Sequence, residues 1–156
     1  MGKNDLLLLV EDDDNTAVLL KLALTKCNVL NPLEIVNSGD EARLYLEGAG
    51  RYQNRERFPL PSVVLLDLKM PGMDGFEVLE WIRNQPAPIG SLRVIVLTGS
   101  ESIRDVNRAY QLGANSFLVK PVDLSDLNRL SDAISGSWVW MQSAPENFDP
   151  SQFRKV

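Results

Sequence analysis

The sequence predicts an α/β protein: a doubly wound, five-stranded parallel sheet with helices on both faces. Three observations carry this. Five short apolar runs recur along the chain, at Leu6–Val10, Leu33–Val36, Ser62–Asp67, Arg93–Thr98 and Ser116–Val119. Their apolar stretches are continuous rather than alternating, as in strands covered on both faces. Each is followed by a segment with helical character, and strand-then-helix repetition is the pattern of a parallel sheet. With 156 residues the chain fits one domain with a sizeable core, and two would be cramped.

The first strand stops at Glu11-Asp12-Asp13-Asp14, and a helix is expected over Asn15–Lys26. After the second strand, Ser38-Gly39-Asp40-Glu41 has the spacing of a capping box, which opens a helix to Glu47. Gly48–Pro61 holds two glycines and two prolines, so it reads as a long polar loop, solvated around Arg51–Arg57. Gly75–Gln85 is the third helix. Ser102, with Asp105 three residues on, starts a fourth that runs to Leu112. A last helix begins near Asp123, where Leu127, Leu130, Ile134, Trp138 and Met141 recur at steps of three and four. That stripe is expected to pack on the sheet. The domain then covers residues 1–142, with 143–156 as a tail.

Composition narrows the chemistry. The chain has no histidine, which excludes a Ser-His-Asp triad, a histidine base and a histidine-bound zinc. Its one cysteine, Cys27, excludes an internal disulfide and reads as a small buried residue. A net charge of −5 argues against a nucleic-acid surface, which needs a basic face. No apolar run approaches the length of a membrane span, and the start MGKNDLLLLVEDDD is no signal peptide. A cytoplasmic protein is expected.

The third strand, VVLLD, poses the functional question, because it ends in a carboxylate, Asp67. In parallel sheets the ligand site lies beyond the carboxyl ends of the strands. The residues leaving strands one, three, four and five are Glu11-Asp12, Asp67, Thr98 and Lys120. Three acids, a hydroxyl and an ammonium are therefore expected in one crevice. Clustered carboxylates repel unless a cation sits among them, and an oxygen-only set suits Mg²⁺ with positions left for phosphate. A carboxylate beside Mg²⁺ can attack an activated phosphoryl group, while Lys120 and Thr98 bind its oxygens. Asp67 is the expected phosphoacceptor. Met70-Pro71-Gly72 turns the chain and leaves the Lys69 carbonyl free to face the metal. Pro121 restrains the bond after Lys120, with the cis isomer open to it. The Lys69 side chain, two residues past the acceptor, is expected to lie over the phosphoryl oxygens and slow hydrolysis. Asp13 and Asp14 read as helix-start charges, and Asp74 as a turn residue.

VEDD, LLDLKMPGMDG, VLTGS and FLVKP, in this order, resemble the receiver domain of two-component response regulators over roughly residues 5–135. The resemblance implies a CheY-like, flavodoxin-like sheet of order 2-1-3-4-5. Carried over position by position, Glu11 and Asp12 match the acidic pair, with Asp12 the direct metal ligand. Asp67 matches the phosphorylated aspartate, Lys69 the residue lending its carbonyl to Mg²⁺, and Lys120 the lysine of that motif. Thr98 matches the switch hydroxyl and Phe117 the switch aromatic, often a tyrosine in the family. The Gly48–Pro61 insertion and the Trp-bearing last helix are similar to stand-alone regulators partnered with phytochrome-type kinases.

The implied partners are a sensor histidine kinase, which must supply the phosphohistidine this chain lacks, and a downstream protein. The chain leaves little room for an output domain, so output is expected through a protein contact. The expected surface is the fourth helix, fifth strand and last helix, which is also a surface for a homodimer. Two other functions fit parts of the pattern. A haloacid-dehalogenase-type phosphohydrolase would use Asp12-Asp13-Asp14 as its D-x-D, but expects paired acids after the lysine where Pro121-Val122-Asp123 offers one. A receiver-like module could also bind partners without phosphorylation.

Overall fold

The computed structural model describes residues 5–26, 29–99 and 103–120. Five parallel strands form one sheet: β1 (Leu7–Val10), β2 (Leu33–Val36), β3 (Val63–Asp67), β4 (Arg93–Thr98) and β5 (Ser116–Val119). Their order is β2-β1-β3-β4-β5. Between them run α1 (Asp14–Lys26), α2 (Gly39–Glu47), α3 (Gly75–Arg83) and α4 (Ile103–Gln111). Element ends move by one or two residues from the sequence expectation, the scatter normal for fraying termini. Ser102, Cys27, Pro121, the expected last helix and the 143–156 tail lie outside the described residues.

The continuous apolar strands are explained by what covers them. On one face, Leu7, Leu9, Val63, Leu65, Ile95, Leu97 and Leu118 pack with Ala17, Leu20 and Leu24 of α1. The other face, with Leu8, Val64, Leu66, Val94, Val96 and Phe117, packs against α2, α3 and α4. Strand residues alternate between two buried faces, so neither parity can be polar.

Caps fix where the helices begin. The Ser38 side chain accepts a hydrogen bond from the Glu41 N–H at 3.1 Å, which starts α2. Asp74, expected only as a turn residue, does the same for α3, accepting from the Glu77 N–H at 2.9 Å. Gly75 follows for a steric reason: a Cβ there would collide with the Asp67 carbonyl oxygen and the Leu68 Cα. Only glycine lets the start of α3 lie against the end of β3, which holds the Met70–Asp74 turn close to Asp67. Gly72 within that turn has φ of 73°, a conformation that favours glycine after Pro71.

The Gly48–Pro61 segment departs from the solvated loop expected. It contains a single 3-10 turn at Gly50–Tyr52, and Tyr52 is buried with its ring 5.0 Å from Tyr45 and 5.1 Å from Phe58. Arg55 turns inward and donates to the carbonyls of Tyr45 (2.8 Å), Leu46 (2.5 Å) and Phe58 (3.1 Å). At the C-terminus of α2, where the last carbonyls lack helical partners, the Leu46 carbonyl thus accepts from a guanidinium, and so does that of Tyr45, which also accepts the Gly48 N–H at 3.1 Å. The loop is a structural patch over the edge of the core, stapled by one arginine.

Candidate functional site

The parallel pairing aligns the strand ends, and with them the chemistry. Val10 pairs with Leu66, Asp67 with Leu97, and Thr98 with Val119. Residues leaving β1, β3, β4 and β5 therefore share one rim of the sheet. Glu11, Asp67 and Thr98 are buried, whereas Asp12 is exposed. Carboxylate oxygens of Glu11, Asp12 and Asp67 lie within 4.8 Å of one another. Lys120 enters from the end of β5. Its backbone N–H donates to the Thr98 carbonyl at 2.7 Å, and its ammonium lies 2.6 Å from Glu11 Oε1 and 3.1 Å from Asp67 Oδ2. The other carboxylate oxygen of Asp67, Oδ1, accepts the Lys69 backbone N–H at 3.2 Å.

Burial works against the Lys120 ammonium, but its bond to Glu11 and the charge of Asp67 outweigh that, and its pKa is raised. Burial also pushes the Glu11 carboxyl upward, with Asp67 adding to the rise and Lys120 opposing it. One ammonium thus faces three carboxylates. A hard divalent cation fits this donor set, since it would remove the remaining like-charge repulsion and accept oxygen ligands.

Asp13 stands apart from the cluster. Its Oδ1 accepts the N–H groups of Asn15 (2.9 Å) and Thr16 (3.4 Å) at the start of α1, and those bonds hold its pKa low. Asp13 is a helix-start charge, as its sequence position suggested. Phe117 is buried and pairs with Val96, two register positions before Thr98, edge-on to Tyr110 with ring centroids 6.2 Å apart.

In the unphosphorylated protein the Lys69 ammonium sits 3.5 Å from Asp105 Oδ2 in the first turn of α4, and 5.9 Å from the Phe76 ring centre. One turn further along α4, the Arg108 guanidinium lies 4.1 Å over the same ring. These residues, with Leu68, Met70, Pro71 and Asp74, line a groove of about 390 Å³ between the β3–α3 turn and α4. The sequence marked Asp105 only as a helix-start acid. Its partnership with Lys69 joins residues 36 positions apart and has no local signature.

A buried acid, an acidic cluster and a lysine gathered on the rim of a 2-1-3-4-5 sheet define a receiver of phosphoryl signals. The family described as response regulator receiver domain matches residues 7–132, and the chain belongs to it. Within the family it is similar to the cyanobacterial phytochrome response regulator RcpA and the bacteriophytochrome response regulator AtBRR. Their structures superpose with TM-scores of 0.72 and 0.73 at 32% and 37% identity, covering 86% and 93% of this chain and 94% and 99% of theirs. Response regulator Rcp1 of Synechocystis is 34% identical over 139 residues, covering 89% of this chain and 92% of that one. The crystal structure of its Mn²⁺-bound form superposes with a TM-score of 0.70, covering 86% of this chain and 94% of that one. A response regulator in red light signaling of R. palustris superposes with a TM-score of 0.75 at 32% identity, covering 86% and 93%. The probable methanogenesis regulatory protein FilR2 of Methanothrix harundinacea is 36% identical over 143 residues, covering 90% of this chain and 87% of that one.

Proposed function

We propose that this receiver domain takes a phosphoryl group onto Asp67 from a phosphohistidine of a sensor histidine kinase and signals through contact with a downstream protein. The observation that carries this is a buried Asp67 with Lys120 Nζ at 3.1 Å and two further carboxylates beside it. A carboxylate oxygen of Asp67 attacks phosphorus. The O–P bond forms as the N–P bond of the donor histidine breaks, and the histidine nitrogen keeps the bonding pair and takes a proton from solvent. Lys120 pairs with the transferred oxygens and the Thr98 hydroxyl donates to them. Glu11, Asp12, Asp67 and the Lys69 carbonyl are the residues that would hold Mg²⁺, which when bound supplies positive charge beside the phosphoryl group. As Thr98 moves toward that group, the ring of Phe117 turns into the space it leaves, and the surface of α4 and β5, together with the helix expected from the sequence after Asp123, becomes the contact for a target or a second copy. The size of that shift equals the difference with which the two states bind the phosphoryl group. Similarity to phytochrome and bacteriophytochrome response regulators supports a phytochrome-type kinase as donor, acting in the cytoplasm.

Acetyl phosphate, which needs no kinase, tests the assignment. With Mg²⁺ the wild-type chain is expected to form a hydroxylamine-labile acyl phosphate, Asp67→Asn none, and Asp12→Asn a strongly reduced amount. Wild-type labelling of Asp67→Asn would show the acceptor misplaced, and a label on Asp12 would indicate the phosphohydrolase chemistry instead.

A further inference from the structure

The groove beside Asp67 is bridged by two cation contacts whose partners face each other in crossed order. From the β3–α3 side come Lys69 and the Phe76 ring, and from α4 come Asp105 and Arg108. Asp105 and Arg108 are three residues apart and so share one face of the helix. Val106 anchors the inner side of this turn of α4 in the core, while on the outer side, across an open groove of about 390 Å³, the contacts between the two walls are made by these charged side chains.

We propose that Asp105 is a positioning residue for the phosphorylation site. In the unphosphorylated protein it holds the Lys69 ammonium away from Asp67. Phosphorylation transfers that ammonium to the phosphoryl oxygens and frees the first turn of α4. The inference rests on Asp67 as the phosphoacceptor and adds a partner exchange to it.

Three features support the exchange. Lys69 is already tied to the acceptor by its backbone, since its N–H donates to Asp67 Oδ1 at 3.2 Å, so its flexible four-carbon stem starts beside the phosphoryl position. Its present partner is a single carboxylate at 3.5 Å, and the lysine side chain is 62% exposed, which makes this a weak, solvent-screened pair. A phosphoryl group brings up to two negative charges and three acceptor oxygens, so it out-competes one half-buried carboxylate. When Lys69 leaves, Asp105 loses its cation, and the first turn of α4, which carries the exposed Ile103, is left on its groove side with the Arg108–Phe76 contact and on its inner side with the buried Val106. The position over the phosphoryl oxygens that the sequence suggested for Lys69 then belongs to the phosphorylated state.

Linkage sets the test. An interaction present only in the free state opposes binding of the phosphoryl mimic, so removing it tightens binding. Beryllofluoride with Mg²⁺ is titrated calorimetrically into wild type, Asp105→Asn, Asp105→Glu, Lys69→Met and the Lys69→Met/Asp105→Asn double variant. Asp105→Asn is expected to lower Kd about two- to five-fold, the range that an exposed ion pair commands. Asp105→Glu is expected to restore the wild-type value, and the Asn effect is expected to vanish in the Lys69→Met background and in 1 M salt. A general effect of Asp105 on the α4 terminus would persist without Lys69, so the double variant separates the two. Hydrogen exchange is expected to show the amides that donate to the first-turn carbonyls of α4, from Asn107 onward, less protected in Asp105→Asn and in beryllofluoride-bound wild type than in free wild type. An equal Asp105→Asn effect in both backgrounds, or none in wild type, overturns the exchange while leaving Asp67 as the acceptor. Failure of wild type to bind beryllofluoride overturns the acceptor assignment and the exchange together.

Discussion

At the scale of single residues, the site is held in a state of unrelieved charge. Glu11 is 1% exposed, and burial is the main cause that lifts its pKa above the ordinary carboxylate value of 4.5. The sign of the pH dependence follows. A carboxyl with a raised folded pKa binds its proton more tightly in the folded protein, so its contribution to stability is complete below 4.5 and is lost as pH rises through the raised value. Metal-free protein is therefore expected to lose a component of stability between pH 4.5 and the raised pKa, and Glu11→Gln to lack that component. Urea melts of both proteins across this window check it; equal pH profiles would show Glu11 uninvolved. Lys120 answers part of the charge, and its own raised pKa keeps it cationic throughout that window. Phe117 and Tyr110 form a buried aromatic pair that fills the core, with Phe117 two register positions from the Thr98–Val119 pair.

At the scale of elements, the turn after β3 and the insertion after α2 are solved by different devices. The β3–α3 turn depends on absence of a side chain, because any Cβ at Gly75 meets backbone of Asp67 and Leu68. The insertion depends on presence of one: Arg55 satisfies three carbonyls, two of them in the last turn of α2. Hydrogen bonds to a charged donor contribute more than neutral ones, and orphaned carbonyls cost extra. Arg55→Met, which keeps an unbranched stem without the donors, is expected to destabilise the domain by about 2 kcal/mol while leaving Asp67 phosphorylation intact once folded. Chemical denaturation together with acetyl phosphate labelling separates the two effects. Loss of labelling in the folded variant would place the insertion in the site rather than beside it.

At the scale of the whole molecule, the sheet converts strand register into a binding site, and ligand binding should stabilise the fold by mass action. Mg²⁺ at ten times its Kd is expected to add about 1.4 kcal/mol, since it binds the folded site and not the unfolded chain. For a domain of this size that corresponds to a rise in Tm of roughly 3–6 °C. Calorimetric scans with Mg²⁺ and with Ca²⁺-free chelator check the shift, and Asp12→Asn is expected to abolish most of it. An unchanged shift in that variant would remove Asp12 from the metal site. No helix among the described residues is long and apolar enough to cross a membrane.

Much of this was legible in the chain itself. The parallel sheet followed from Leu7–Val10, Val63–Leu66 and Val94–Leu97, because a strand buried on both faces must be apolar at both parities. The rim residues Glu11, Asp67, Thr98 and Lys120 followed from the rule that such sheets bind at their carboxyl ends, and the capping box at Ser38–Glu41 from local hydrogen-bond chemistry. These signals are periodic or local, so sequence alone expresses them. Three features needed the folded chain. Arg55 reads as one more loop cation until the α2 carbonyls are placed around it. Asp74 reads as a turn residue until the start of α3 is seen to lie on its carboxylate. The Lys69–Asp105 pair depends on α4 facing the β3–α3 turn across a groove. A long side chain can reach any of several neighbours, and only the packing of whole elements decides which one it meets.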